Sequence, residues 1–473
     1  MPLVEPVPLI PPSDLGRMHF IAIGGAGMSP VASWYAALGR PTSGCDRDDS
    51  PTLRALARAG VEATVGHDPA HVAQADTVVV SSAIAEDNPE LLTARAAGCR
   101  VWHRSAALGA LMLGHTGIAV TGTHGKTTTS AMLTTALVAA GADPSAVIGA
   151  TLIESGQSFR IGGGAAFVVE ADESDGSFLQ YPAETLVITN IEADHLVNWG
   201  TAEAYAAGFA RLCAGDRVRR VVLDLDDPGA LALAESLAGT RVDVIGVGEA
   251  PTARVRLSGL RDDADGTGAL IWDEDRPYEL TLGVPGRHNL HNAAAAFAAG
   301  RSLGLPADAL LAGLRGYAGT ARRFQRVGAA GGVQVFDDYA HHPTEVAAAL
   351  AAARPRVGAT GRLVACFQPH LYSRTQDFVA GFGQALAQAD VVVVTDVYAA
   401  REEPIAGVTG ELVARAAADA GATVAYVPDK ADLPLRLAEL VRESDLVVTL
   451  GAGDVTHVGP ALLARLGGEG PHA

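Results

Sequence analysis

The sequence predicts an α/β protein of three domains. Short β-branched runs alternate with Ala/Leu-rich stretches of helical length almost from end to end, the pattern of parallel sheets with crossover helices. The chain has 473 residues, which at roughly 100–200 residues per domain suggests about three. Glycine clusters at Gly114–Gly117 and Gly316–Thr320 punctuate the pattern and set boundaries near 115 and 320. The expected domains are therefore 1–115, 116–320 and 321–473.

Strands at His19–Ile23, Thr77–Ser81 and Val101–His103 frame the first domain, with helices near Ser29–Leu38, Thr52–Ala59 and Pro89–Ala97. The second begins at Ile118–Thr121 and continues through Phe167–Glu170, Thr185–Thr189, Val221–Asp224 and Val242–Val247. Arg254–Tyr278 is acidic and polar-interrupted, which reads as antiparallel strands at a sheet edge. The third runs through Val333–Phe336, Leu363–Phe367, Val391–Thr395, Thr423–Val427 and Leu446–Leu450.

Composition is globular, 48% hydrophobic and 19% charged. Lys and Arg number 35 against 53 Asp and Glu, a net charge of −18. That balance argues against coating nucleic acid or an anionic membrane, so any anionic ligand needs a local cluster of donors. Cys45, Cys99, Cys213 and Cys366 lie far apart with no CxxC or zinc-type Cys/His spacing, the usage of a reduced cytoplasmic protein with small buried thiols. The proline-rich start, Met1 to Pro12, lacks the basic cluster of a signal peptide, and the apolar runs are too short to span a bilayer.

Gly24-Gly25-Ala26-Gly27-Met28-Ser29 follows the first strand and opens a helix, where glycines let a phosphate approach backbone N–H groups. From Gly25 the spacing is G-x-G-x-x-P, with Pro30 in place of the third glycine of a dinucleotide fingerprint. Asp46 falls where a ribose-contacting acid would lie. Gly122-Thr123-His124-Gly125-Lys126-Thr127-Thr128 is sharper, a shortened phosphate-cradling loop between a strand and a long helix. Its amides and helix dipole suit a triphosphate, Lys126 the β/γ-phosphates and Thr127 a Mg²⁺ ion. Glu170 opens an acidic cluster, Glu-Ala-Asp-Glu-Ser-Asp, at a strand end and is the oxygen donor best suited to a first Mg²⁺. One strand later come Asn190 and His195, the latter suited to a second ion.

Asn289 and Asn292 share one face at the start of an Ala-rich helix, placed for adenine or phosphate. Arg323 sits at the second boundary, where it could reach a γ-phosphate on domain closure. Two loops at strand ends of the third domain, Asp338-Tyr339-Ala340-His341 and His370 through Arg374, supply a cationic, aromatic pocket for a small carboxylate.

This string of motifs resembles the Mur ligases from Gly24 through Arg374. The resemblance implies a Rossmann-like N-terminal domain for a UDP-sugar, a central P-loop ATPase-type domain and a Rossmann-like C-terminal domain for an amino acid. It implies ATP-dependent amide formation between the lactyl carboxylate of UDP-N-acetylmuramate and L-alanine, through an acyl phosphate, with ATP and Mg²⁺, in cytoplasmic peptidoglycan precursor synthesis. The enzyme would act as a monomer or homodimer. On this resemblance Gly24–Ser29, Asp46, Ser81 and Asn190 bind the UDP-sugar. Gly122–Thr128, Asn289, Asn292 and Arg323 bind ATP, and Thr127, Glu170 and His195 hold metal. Tyr339, His341, His370 and Arg374 line the alanine pocket; Lys126, His195, Arg323 and Asp338 carry catalysis. Cys45 replaces a small hydroxyl residue, Leu371 stands where relatives can carry arginine, and the N-terminal dozen residues read as an unmatched extension. Three rival readings are a murein-peptide ligase, which joins a preformed peptide to the same sugar, an NAD-dependent dehydrogenase built on Gly24–Ser29, and a non-catalytic nucleotide-binding regulator.

Overall fold

A computed structural model describes residues 3–264, 266–400 and 402–467. It is α/β throughout, with three sheets whose cores are parallel. The described residues fall into two compact units. One runs to Leu257 and includes Ile271–Tyr278 and His291–Leu314; the other comprises Ser258–Leu270, Glu279–Leu290 and the chain from Arg315 onward.

The first sheet contains β1 (Met18–Ile21), β2 (Thr42–Asp46), β3 (Glu62–Val65), β4 (Thr77–Val80) and β5 (Arg100–His103). Its order β3-β2-β1-β4-β5 is parallel throughout, and the chain reverses direction of winding between β1 and β4. Ligands of open α/β sheets bind at such a switch, beyond the carboxyl ends of the strands. The glycine loop Gly24–Ser29 follows β1 there. β2 and β3 were absent from the predicted strands because Thr-Ser-Gly-Cys-Asp is polar and Glu-Ala-Thr-Val is a largely exposed edge, so neither shows a β-branched run.

The second sheet contains β6 (Thr116–Thr121), β7 (Ser145–Val147), β8 (Phe159–Arg160), β9 (Ala166–Glu170), β10 (Thr185–Ile188), β11 (Arg220–Asp224), β12 (Asp243–Gly248), β13 (Val255–Asp263), β14 (Gly266–Asp273) and β15 (Arg276–Leu282). Its order is β15-β14-β13-β12-β11-β10-β6-β9-β7-β8. The last three strands in sequence sit together at one edge, joined by links too short for a crossover, so they meander as expected. β7 and β8 went unpredicted, being only three and two residues long.

In the other unit lie β16 (Gln325–Ala330), β17 (Val333–Asp338), β18 (Leu363–Phe367), β19 (Val391–Val394), β20 (Thr423–Tyr426) and β21 (Leu446–Leu450). Their order is β16-β17-β21-β18-β19-β20, with β16 antiparallel. β21 lies between β17 and β18, so the loops after all three open at one end of the sheet.

One apolar cluster runs from Leu15 and Phe20 through Trp34, Phe167 and Phe178 to Leu237, fusing the first two sheets into a single core. Trp34 stacks on Phe167 with centroids 4.9 Å apart. The N-terminal segment, read from the sequence as an unmatched extension, is a strap across this seam. Val4 N donates to Asp175 O, while the Gln180 side chain accepts from Val7 N at 2.7 Å and donates to Val7 O at 2.9 Å. Leu9 and Ile10 pack on the core. Cys45, Cys213 and Cys366 are buried and Cys99 half-buried. Among the described residues no helix is long and apolar enough to cross a membrane.

Candidate functional site

β6 ends in the loop Gly122–Gly125, and the helix Lys126–Ala139 begins at once. Gly122 has φ +123°, and a Cβ there would lie 2.2 Å from Thr189 Oγ1; Gly125 has φ +81°, and a Cβ would meet Asn292 Oδ1 at 2.6 Å. Both positions thus demand glycine for conformation and for space. The segment after β10 clamps the loop from below. Asn190 accepts from His124 N at 2.8 Å and donates to His124 O at 3.0 Å, and Thr189 Oγ1 donates to the same carbonyl. Thr123 Oγ1 accepts from Glu192 N and lies 2.9 Å from the Tyr205 hydroxyl. His124 Nε2 lies 3.0 Å from Glu192 Oε2.

Lys126 folds over this loop, donating to Gly122 O, Thr123 O and Glu173 at 2.7–3.0 Å. Burial works against its charge, but Glu173 and the neighbouring acids more than offset that, so the ammonium is held protonated. Complete burial pushes Glu173 up to about 7, against the pull of Lys126. His195 Nε2 lies 3.6 Å from Glu173 and 3.5 Å from Asp194. Lys126, Glu173 and His195 therefore form one group. Glu173 escaped the sequence reading although it stood in the quoted acidic motif; its spacing of three from Glu170 was the available signal.

Thr127 Oγ1 donates to Glu170 Oε1 at 2.9 Å, and Gly149 N donates to Glu170 Oε2 at 2.6 Å. A Cβ on Gly149 would lie 2.3 Å from the carboxylate, so the backbone has been cleared to admit it. A hydroxyl and a carboxylate oxygen side by side at the phosphate loop are the hard donors that Mg²⁺ prefers. Thr128 is buried under the same helix turn. Asn292 accepts from Thr129 Oγ1 at 3.1 Å, which fixes it beside Gly125; Asn289, a turn earlier on the helix Arg287–Ser302, donates to Pro285 O.

In the first sheet, Asp46 accepts from Gly24 N at 2.8 Å, so its carboxylate shapes the glycine loop directly. Gly25 N turns back to Ala22 O, and Ala26 and Gly27 are exposed. Met28 is only 2% exposed and packs into the core beneath the loop. Ser29 starts the helix Ser29–Ala37, and Ser81 sits just past β4. Arg104, unremarked in the sequence, lies against Gly27 and donates to Asp172 Oδ2 at 3.1 Å. Burial raises the Asp172 carboxyl, but Arg104 and Lys126 reverse this and hold it well below the usual range. Thus the glycine loop of the first sheet and the acidic motif of the second share one arginine.

In the other unit, Asp338 ends β17 and accepts from Phe324 N and Ala340 N, both at 2.7 Å. Burial lifts its carboxyl to about 6 although Arg323 pulls the other way. Arg322 and Phe324 carry φ of +59° and +47°, so a strained turn presents Arg323 between them. Arg323 lies over the Tyr339 ring at 5.2 Å and 4.0 Å from Glu345. His341 packs edge-on to Tyr339 and to His370, and His370 stacks on Tyr398. Arg374, 6% exposed, is 3.3 Å from His370 Nδ1. Leu371 has φ +70° and donates its N–H to Tyr398 O, so its backbone rather than its side chain sets His370 and Arg374 in place. Tyr339, His341, His370 and Arg374 do converge; Tyr398 joins them, a residue without a motif in sequence.

Family models match along the chain: the Mur ligase family, catalytic domain, over residues 17–116; the Mur ligase middle domain over 120–300; and the Mur ligase, glutamate ligase domain, over 322–453. The chain is 57% identical to the UDP-N-acetylmuramate–L-alanine ligase of Cutibacterium acnes over 472 residues, covering 99% of this chain and 100% of that protein. It is 50% identical to the enzyme of the same name from Nocardioides sp. over 473 residues, 99% of this chain and 100% of the relative. Such coverage leaves no unmatched N-terminal dozen. Among solved structures, the UDP-N-acetylmuramate–alanine ligase of Thermotoga maritima superposes with TM-score 0.79 at 28% identity, covering 95% of this chain and 98% of that one. A murein peptide ligase from Psychrobacter arcticus shares the fold at TM-score 0.70 and 24% identity, over 96% and 99% of the two chains.

Proposed function

The chain belongs to the Mur ligase family, and from that premise we propose that it is the ATP-dependent ligase joining L-alanine to the lactyl carboxylate of UDP-N-acetylmuramate. The observation that carries the reading furthest is the phosphate loop with Lys126, Glu173 and His195 on one side and the Thr127–Glu170 pair on the other. Full-length identity to ligases of this name supports the choice of amino acid and sugar.

A carboxylate is a poor electrophile, and phosphorylation converts it to an acyl phosphate. The loop amides and the helix dipole receive the triphosphate, and Lys126 offsets its charge as the phosphoryl group transfers. Thr127 and Glu170, with His195 for a second ion, would hold Mg²⁺, which supplies charge neutralisation between the two anions. Asn289 and Asn292 serve the nucleotide and Arg323 the γ-phosphoryl group. Gly24–Ser29, Asp46, Ser81 and Asn190 serve the UDP-sugar, with Arg104 as a further cation beside that loop. Tyr339, His341, His370 and Arg374 hold alanine, whose free amine attacks the acyl phosphate and yields a proton to an imidazole or carboxylate of that pocket. ADP and phosphate leave. The work is divided among 1–115 for the sugar, 116–320 for ATP and 321–473 for the amino acid, in the cytoplasm, where these precursors are made.

A substrate panel tests this. Phosphate release should require both UDP-N-acetylmuramate and L-alanine, with a product mass matching their condensation, and Lys126→Ala should remain folded while losing at least about 1000-fold in rate. Turnover with a preformed tripeptide but not with alanine would establish the murein-peptide ligase instead. Phosphate release needing neither substrate would refute both.

A further inference from the structure

We infer that the first domain contains a binding site for a divalent transition-metal ion of the zinc class, formed by His19, Cys45, His71 and Glu90. No sequence spacing announces it, because the four residues come from four segments: β1, β2, the turn Pro69–Val72 after β3, and the first turn of the helix Pro89–Ala96. Parallel pairing sets Cys45 opposite Ile21, two residues from His19, so thiol and imidazole share one face of the sheet. One donor atom from each of the four lies within 4.8 Å of all the others. A tetrahedral ion with bonds of roughly 2.0–2.3 Å needs ligand separations of about 3.3–3.8 Å, within reach of small rotamer adjustments.

His19 points most directly to an ion. It is 2% exposed, and the hydroxyl of Ser43 donates to Met18 O, so Ser43 Oγ accepts from His19 Nδ1 at 3.0 Å. The proton therefore sits on Nδ1, leaving Nε2 as a bare lone pair. Buried without a hydrogen-bond partner, Nε2 faces Glu90 Oε1 at 3.8 Å. Two acceptors aimed at each other in the interior repel unless a cation lies between them. Burial keeps this imidazole neutral, down to about 4, which is the form that ligates a metal.

Glu90 is fully buried, and its hydrogen-bonding partners are Cys45 Sγ at 2.9 Å, His71 Nδ1 at 2.7 Å, His67 Nδ1 at 2.8 Å and Asp68 N at 3.3 Å. None is Lys or Arg. A thiol, two imidazoles and one carboxylate make a mixed donor set suited to zinc and its neighbours, not to Mg²⁺ or Ca²⁺. Ser43 behind His19 and His67 behind Glu90 provide the outer hydrogen bonds that orient ligands at such centres. Binding displaces the Cys45 proton to solvent, with the Glu90 carboxyl held below its ordinary range and so already ionised. The ion would brace the glycine loop, because Cys45 O accepts from Ile23 N at 2.9 Å and the next residue, Asp46, holds Gly24 N.

The full-length protein, stripped of metal, should be titrated with Co²⁺ alone and followed by absorption. The expected result is a thiolate-to-Co²⁺ charge-transfer band saturating at one ion per chain and bleached by Zn²⁺. Cys45→Ser should abolish the band, His71→Ala should weaken the Co²⁺ affinity read from it at least about 100-fold, and Cys99→Ser, at a half-buried thiol outside the site, should leave both unchanged. Absence of the band at saturation, or its survival in Cys45→Ser, overturns the assignment. If Cys45→Ser fails to fold, the half-exposed His71 decides: unaltered affinity in His71→Ala overturns the site, and lost affinity supports it.

Discussion

Glu173 shows how a single buried residue can tune the phosphate loop. Its carboxyl, lifted to about 7 by burial, lies against Lys126 and beside His195. The folded chain therefore keeps a proton on Glu173 at pH values where the unfolded chain, with an ordinary glutamate near 4.5, has lost it. That contribution to stability is full below about 4.5 and disappears as pH rises through about 7. Glu173→Gln should thus flatten the fall in melting temperature between about pH 5 and about pH 8, as read by calorimetry at matched ionic strength. An unchanged slope would show that Glu173 does not titrate there. Much of the site was legible residue by residue: Lys126, Thr127 and Glu170 stand where a phosphate loop and a strand-end carboxylate announce them. Glu173, Arg104 and Tyr398 were not, because a lone charged or aromatic residue carries no spacing signal. Only the tertiary fold brings them to Lys126, Gly27 and His370.

At the scale of elements, the loop between β6 and its helix depends on the segment after β10 that supports it. Gly122→Ala would drive a methyl group to 2.2 Å from Thr189 Oγ1 and 2.9 Å from both Thr189 N and Asn190 O. Two of these neighbours are backbone atoms that cannot swing away, and φ +123° is itself disfavoured for alanine. The substitution should cost about 2 kcal/mol or more by denaturant unfolding and abolish nucleotide binding, measured by calorimetric titration. Strands rich in Val and Ile, such as Val391–Val394, were readable because burial on both faces selects apolar runs. β2 and β3 escaped because an edge strand and a strand carrying Ser, Gly and Cys lack that run, although backbone pairing holds them as firmly.

For the molecule as a whole, the first two sheets share one core and are tied together twice more, by Arg104 reaching Asp172 and by the strap Leu3–Ile10. Ser82 adds a hydrogen bond to Asp175, whose backbone carbonyl also receives Val4 N. Removing residues 3–10 should lower stability by about 3 kcal/mol, from three main-chain hydrogen bonds and two apolar side chains. Denaturant unfolding of the shortened chain checks this, and an unaltered midpoint would mean that the strap binds no more tightly than water replaces it. Composition hid the strap, since proline-rich termini usually read as loose ends, and only the pairing with Gln180 reveals its purpose.

That pairing has an evolutionary consequence. Gln180 grips Val7 through its backbone N–H and C=O and ignores the side chain, so substitutions along the strap leave the grip intact while its path is preserved. Position 7 is free to drift in sequence but not in course. The one replacement at position 7 barred on covalent grounds is proline, which has no N–H to give.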